Sequence, residues 1–200
     1  MNKTNPKIWP VIITLFLFGL NFSPVMAQVM EIEVIGAGYR LSGPDIITFT
    51  NLSASLEGQE SIVDIRTLNA QNEESPSSTE TLDYILVKDE NGGNIFDVTV
   101  STTDMQDPHT LSVIPSSNLY IKNKNGTGAD IVTENNYSNL TGISLNADTN
   151  DFADLSVQRT LLSGDGGQPG AWRIFPVFKL NVPAKTLPGT YTTTLTFTII

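Results

Sequence analysis

The chain has no cysteine and a single histidine, His109. The first absence removes disulfides, so a chain of this composition folds on its hydrophobic core alone. It also removes thiol chemistry. The two absences together exclude a zinc site of the usual His and Cys ligand set. Basic residues are scarce, 11 against 21 acids, and the formal charge is −10. The densest basic cluster is Lys122 with Lys124. A chain this acidic repels nucleic acid and anionic lipid, so neither is an expected partner. Stretches with apolar residues at helical spacing are also missing.

Short runs of Ile, Val, Leu, Phe and Tyr are present instead, set between Thr, Ser, Asn, Asp and Gly. Strands are expected at Met30–Ile35, Ile46–Leu56, Ile62–Leu68, Tyr84–Lys88, Phe96–Thr102, Leu111–Ile114, Leu119–Lys122, Ile143–Asn146, Leu155–Leu162, Trp172–Lys179 and Gly189–Ile200. Turn signals separate them, among them Ser42-Gly43-Pro44-Asp45, Asn91-Gly92-Gly93-Asn94 and Gly164-Asp165-Gly166-Gly167. Polar loops are expected at Asn69–Glu80, Met105–His109 and Asn123–Leu140. The last strand alternates most clearly. Tyr191, Thr193, Leu195, Phe197 and Ile199 fall on one face, and Thr192, Thr194, Thr196 and Thr198 on the other. Tyr191, Leu195 and Phe197 are expected to point inward, with Tyr84, Leu86, Phe96, Val98 and Val100 in the same core and Asp97 and Thr99 outward. Many short strands at this spacing predict an all-β fold, an antiparallel, immunoglobulin-like β-sandwich.

The N-terminus has the form of a secretory signal peptide. Lys3 and Lys7 give a positive start, Val11–Phe18 an apolar core, and Val25-Met26-Ala27 a small-residue cleavage site. The apolar run is well short of the ~20 residues that span a bilayer. Residues 1–27 are therefore expected to be removed, leaving residues 28–200 as one domain of roughly 170 residues, large enough for a core. Removal takes two lysines and no acid, so the formal charge moves from −10 to −12. The product is expected outside the cell or on its surface, and no membrane span follows the leader.

Chemistry-bearing patterns are weak. No Gly-x-Ser-x-Gly turn surrounds a serine, and His109, after Asp107-Pro108, reads as a solvated loop residue. Asp148, Asn150 and Asp154 offer oxygen ligands in a short span. The span lacks the Gly and Glu of an EF-hand loop and reads as a solvated acidic loop. Gly164–Gly170 runs into a strand, where a phosphate cradle needs a helix. Acids are plentiful, but no spacing singles out a glycosidase pair. No catalytic, cofactor or metal residue is expected. Trp172, beside the Gly-rich loop, is a candidate aromatic platform for sugar or peptide.

Two segments carry a resemblance. Val87–Met105 (VKDENGGNIFDVTVSTTDM) and Leu180–Ile200 (LNVPAKTLPGTYTTTLTFTII) resemble the two signature regions of the WxL-domain family of bacterial cell-surface proteins. Phe96-Asp97-Val98 and Phe197-Thr198-Ile199 stand where that family has its two Trp-x-Leu elements, with Phe in place of each Trp. The stretch from Leu111 to Ser163 is unmatched. The resemblance implies an exported module that associates non-covalently with the cell wall or another surface protein, with Phe96, Val98, Tyr191, Leu195 and Phe197 at its motif positions. A second pattern fits a pilus or fimbrial-type subunit assembled by strand donation. Such subunits often end in a Gly-Thr-Tyr strand, and Met30–Ile35, with Ile32 and Val34 alternating with acids, has the form of a donor strand.

Overall fold

The computed structural model describes residues 11–17, 34–36, 38–44, 46–49, 57–67, 83–123, 131–133, 140–146, 149, 151–167 and 169–200. The expected loop Asn69–Glu80, the cleavage site at Val25–Ala27, residues 30–33 and 50–56 of two expected strands, and Asp148 and Asn150 lie outside them.

The strands are β1 (Val11–Leu17), β2 (Val34–Gly36), β3 (Tyr39–Ser42), β4 (Ile46–Phe49), β5 (Gln59–Asp64), β6 (Ile85–Asp89), β7 (Phe96–Thr102), β8 (Met105–Gln106), β9 (Val113–Ile114), β10 (Leu119–Lys122), β11 (Ile131–Thr133), β12 (Ile143–Leu145), β13 (Ala153–Asp154), β14 (Arg159–Gly164), β15 (Gly170–Ile174), β16 (Val177–Val182) and β17 (Gly189–Ile199). Among the described residues helix is limited to short 3-10 turns, Ile65–Thr67 and Ser116–Asn118 among them. None is long and apolar enough to cross a membrane.

One sheet runs β12-β14-β7-β17-β1-β4, with β8 on β17 and β9 on β8. Two others run β13-β10-β16-β5 and β11-β15-β6-β3-β2. Among the described residues every pairing is antiparallel except β1 with β4. The two smaller sheets abut where β15 runs into β16 through Phe175 and Pro176. The sequence predicts one strand here, Trp172–Lys179. Pro176 has no N–H to give to a ladder, so the strand breaks. Its carbonyl accepts from the Ile65 N–H instead, at 3.3 Å.

Val98, Val100, Leu195 and Phe197 of the large sheet share one buried cluster with Leu41, Val87, Ile121, Ile174 and Phe178 of the other two. The architecture is all-β, built of antiparallel sheets around a common core, consistent with a β-sandwich. Tyr191, Leu195, Phe197, Phe96, Val98 and Val100 are buried as the alternation predicts.

β6 has the opposite face inward. Ile85, Val87 and Asp89 are buried, and Tyr84 and Leu86 are half-buried on the outer side. Four consecutive apolar residues carry no alternation, so the pattern does not choose a face. The Arg173 guanidinium lies over the Tyr84 ring, 4.4 Å from its centroid, and keeps that ring at the surface. Thr99, expected outward, is buried because Gln158 covers it, donating from Nε2 to Thr99 Oγ1 at 2.6 Å.

β1 falls in the segment that reads as a leader. Its residues, VIITLFL, are β-branched, aromatic and Leu, so one apolar run suits both a leader core and a central strand.

Candidate functional site

The two segments that carry the WxL resemblance lie about a hundred residues apart in the chain and become neighbours. β7 pairs with β17, Phe197 opposite Val100 and Ile199 opposite Val98. Beyond the strand end, Asp97 and Ile200 exchange backbone bonds of 2.9 and 3.0 Å. Asp97 also accepts from the Ser163 hydroxyl at 2.5 Å.

Phe96 and Phe197 are 2% and 4% exposed. Phe96 stacks at 5.2 Å from Tyr39 and 5.9 Å from Trp172. Its ring covers Gly164 so closely that a Cβ there would come within 2.2 Å of Cε1. This explains a glycine at the end of β14. Phe197 lines a shallow apolar crevice with Leu41, Ile47, Ile65 and Ile85.

Trp172 corrects the sequence expectation. It is 2% exposed and part of the core, so it offers no ring face to a ligand in solution. It sits next to a Gly-rich loop in sequence, but its β15 position points between the sheets.

The Gly-Thr-Tyr element is held by Asp107. That carboxylate is buried and accepts from the N–H groups of His109 and Thr110, both at 2.7 Å, and of Thr190 at 2.5 Å. The Thr110 bond first, then those of His109 and Thr190, hold its carboxyl below the usual range, against the opposing effect of burial. Gly189 leaves room for it, since a Cβ would lie 2.0 Å from Asp107 Oδ2. Tyr191 then turns inward and donates its hydroxyl to the Leu187 carbonyl at 2.9 Å. Thr193, an inward polar residue, is satisfied by Thr102 and Thr103, with hydroxyl contacts of 3.1 and 3.0 Å and a 2.7 Å bond to the Thr103 carbonyl. His109 is exposed at this turn.

The accessible aromatic surface is elsewhere. On the outer face of the β13-β10-β16-β5 sheet, Lys179 Nζ lies 4.7 Å from the Tyr120 ring centroid and 4.6 Å from that of Phe152. Lys122 lies 5.5 Å from the Phe152 centroid. Tyr120 and Phe152 are half-buried, and Lys179 also reaches Glu60 at 3.6 Å. The sequence held one sign of this face. In Leu119-Tyr120-Ile121-Lys122 the aliphatic residues alternate with Tyr120 and Lys122. The partner strand β16, and Phe152 from a loop, could not be placed beside it without the fold.

Of the acidic span, Asp154 is committed to neighbours. It accepts from the Ser156 hydroxyl and from Arg159 at 3.3 Å. The Ser156 hydroxyl, the Ser156 N–H and the Arg159 charge hold its carboxyl below the usual range, against the effect of burial. No group of three or more potential metal ligands of the His, Asp and Glu types occurs among the described residues.

The β17 edge opposite β7 is the remaining distinctive feature. There β1 lies between β17 and β4, with Val11 opposite Leu195, Ile13 opposite Thr193 and Leu15 opposite Tyr191. Comparison with protein-family models, curated proteins and solved structures finds no match to the chain.

Proposed function

We propose that the chain is an exported, non-catalytic cell-surface module. In this reading residues 1–27 are removed as a leader, and residues 28–200 form an immunoglobulin-like β-sandwich of WxL type that associates non-covalently with a cell-wall polymer or another surface protein. The observation that carries it is the pairing of β7 with β17, which joins the two resembling segments into one structural unit. The corner formed by Tyr191 and the Leu187 carbonyl supports the immunoglobulin-like assignment, because Greek-key sandwiches tie a strand start in this way. The two Phe-for-Trp positions are buried, so the replacement changes core packing and removes no exposed ring. The contact surface assigned here is the Tyr120, Phe152 and Lys179 face, where flat rings and a cation suit sugar or peptide.

The test is retention of the exported protein on purified cell-wall sacculi. Binding that falls when Tyr120 and Phe152 are both replaced by Ala supports the proposal. A protein that stays wholly in the supernatant overturns wall association. A second reading, a subunit assembled by strand donation, is favoured by one observation, the placement of β1.

A further inference from the structure

We infer that, once residues 1–27 are cut away, the place of β1 between β4 and β17 is taken by Met30–Gly36 of a second copy, antiparallel to β17 and parallel to β4. This rests on the strand-donation reading and assigns its acceptor slot, its donor and their register.

The slot follows from the topology. β1 pairs with Gly189–Leu195 of β17 over seven positions and with Ile46–Phe49 of β4 over four. Among the described residues β4 is joined to the large sheet through β1 alone. Removing residues 11–17 therefore takes away the described sheet partner of β4 and bares the edge of β17 along residues 189–195. Tyr191, Leu195, Ile47 and Phe49, each at most 1% exposed in the filled state, border the gap. A sheet edge beside so much apolar surface invites another strand.

The donor must match the row it enters. In β1, Val11, Ile13, Leu15 and Leu17 stand opposite Leu195, Thr193, Tyr191 and Gly189. Met30, Ile32, Val34 and Gly36 have the same spacing over the same seven residues. Glu31 and Glu33 then fall opposite Thr194 and Thr192, whose row is half-exposed. The acids thus lie on the outer face and the aliphatic residues on the inner one. The donor is cheaply released from its own body, because among the described residues β2 is an edge strand of three residues paired only with β3.

A second copy is favoured over the same chain by reach. Two residues separate Gly36 from Tyr39, which is fixed opposite Asp89 in another sheet. Three Cα steps extend about 10–11 Å, and facing sheets lie about 10 Å apart, so no slack remains to set the register. Donation between copies is head-to-tail and does not close on itself, so it builds an open chain of subunits.

The absence of cysteine makes the test clean. The full gene is expressed with export, the mass of the exported product fixes its first residue, and Glu31→Cys and Thr194→Cys are introduced together. The expected result is a product starting at Gln28 that forms a ladder of disulfide-linked multiples on a non-reducing gel. The ladder should be absent for either single variant and lost with Ile32→Lys but kept with Ile32→Val. A disulfide within one monomer overturns the second-copy donor. So does a mature chain that keeps residues 1–27 and cross-links Thr14→Cys to Thr192→Cys, the pair that stands opposite when β1 fills the slot. Sizing of the cysteine-free product separates the levels. Polymers that need residues 30–36 but give no 31–194 link overturn the assigned slot and register, and a product that is wholly monomeric overturns the strand-donation reading itself.

Discussion

The two halves of β17 differ in what lies beside them. From Leu195 to Ile199 the strand is paired with β7, which is itself backed by β14 and β12. From Gly189 to Leu195 its other edge is paired with β1, a strand drawn from the leader-like segment. Burial does not reveal the difference, since Tyr191 and Leu195 are both 0% exposed and Phe197 is 4% exposed. Alternation in a sequence tells which residues face inward. It does not tell which strand supplies the cover, and here one half of a strand is enclosed by chain that has the pattern of a leader.

Four measurements break or sharpen this contrast, from the largest expected effect to the smallest. Phe197→Ala strikes the half backed by β7 and is expected to lower unfolding free energy by about 3–5 kcal/mol in a denaturant titration. Gly164→Ala forces a methyl against the Phe96 ring and is expected to cost about 1–3 kcal/mol through overpacking in the same half. Tyr191→Phe removes the bond to the Leu187 carbonyl, at the start of the other half, and is expected to cost about 0.5–1.5 kcal/mol.

The fourth is a pH effect. Asp107 has a folded-state carboxyl held below its usual value, so its contribution is complete above about pH 4 and is lost as pH falls through the lowered folded value. Amide exchange of Thr190 should accelerate on acidification before that of residues 195–199, and Asp107→Asn should remove the pH dependence. Equal acceleration along all of β17 would show that its two halves open together.

Much of the fold was legible from period-2 alternation. β7 and β17 each have a run in which polar and apolar residues take turns, and the alternation gives the inward face of each, with Thr99 buried on the outer side by Gln158. Tyr84-Ile85-Leu86-Val87 has no such contrast, and its face was set by long-range packing. Tyr39–Ser42 lay hidden between two turn signals, where a four-residue strand is too short for its pattern to register. Ile131–Thr133 and Ala153–Asp154 are shorter still and exist as pairings more than as patterns. Pro176 was visible within an expected strand, and the break it causes follows from its missing N–H. For the site, Trp172 looked peripheral because Gly and Pro precede it. Its burial depends on Phe96, distant in sequence. The Tyr120 and Phe152 face is likewise a product of strand order, since Lys179 joins the two rings only after β16 has paired with β10.

The enclosure of Trp172 has an optical consequence. The chain contains two tryptophans, Trp9 and Trp172. A chain cut after Ala27 keeps only Trp172, whose indole is packed beside Phe96 between the sheets. Its emission then reports a single, buried environment, and the red shift on unfolding follows the core without contribution from any other indole. Trp9 would add a second emitter to any preparation that retains the leader, so the fluorescence of the purified protein doubles as a record of its processing.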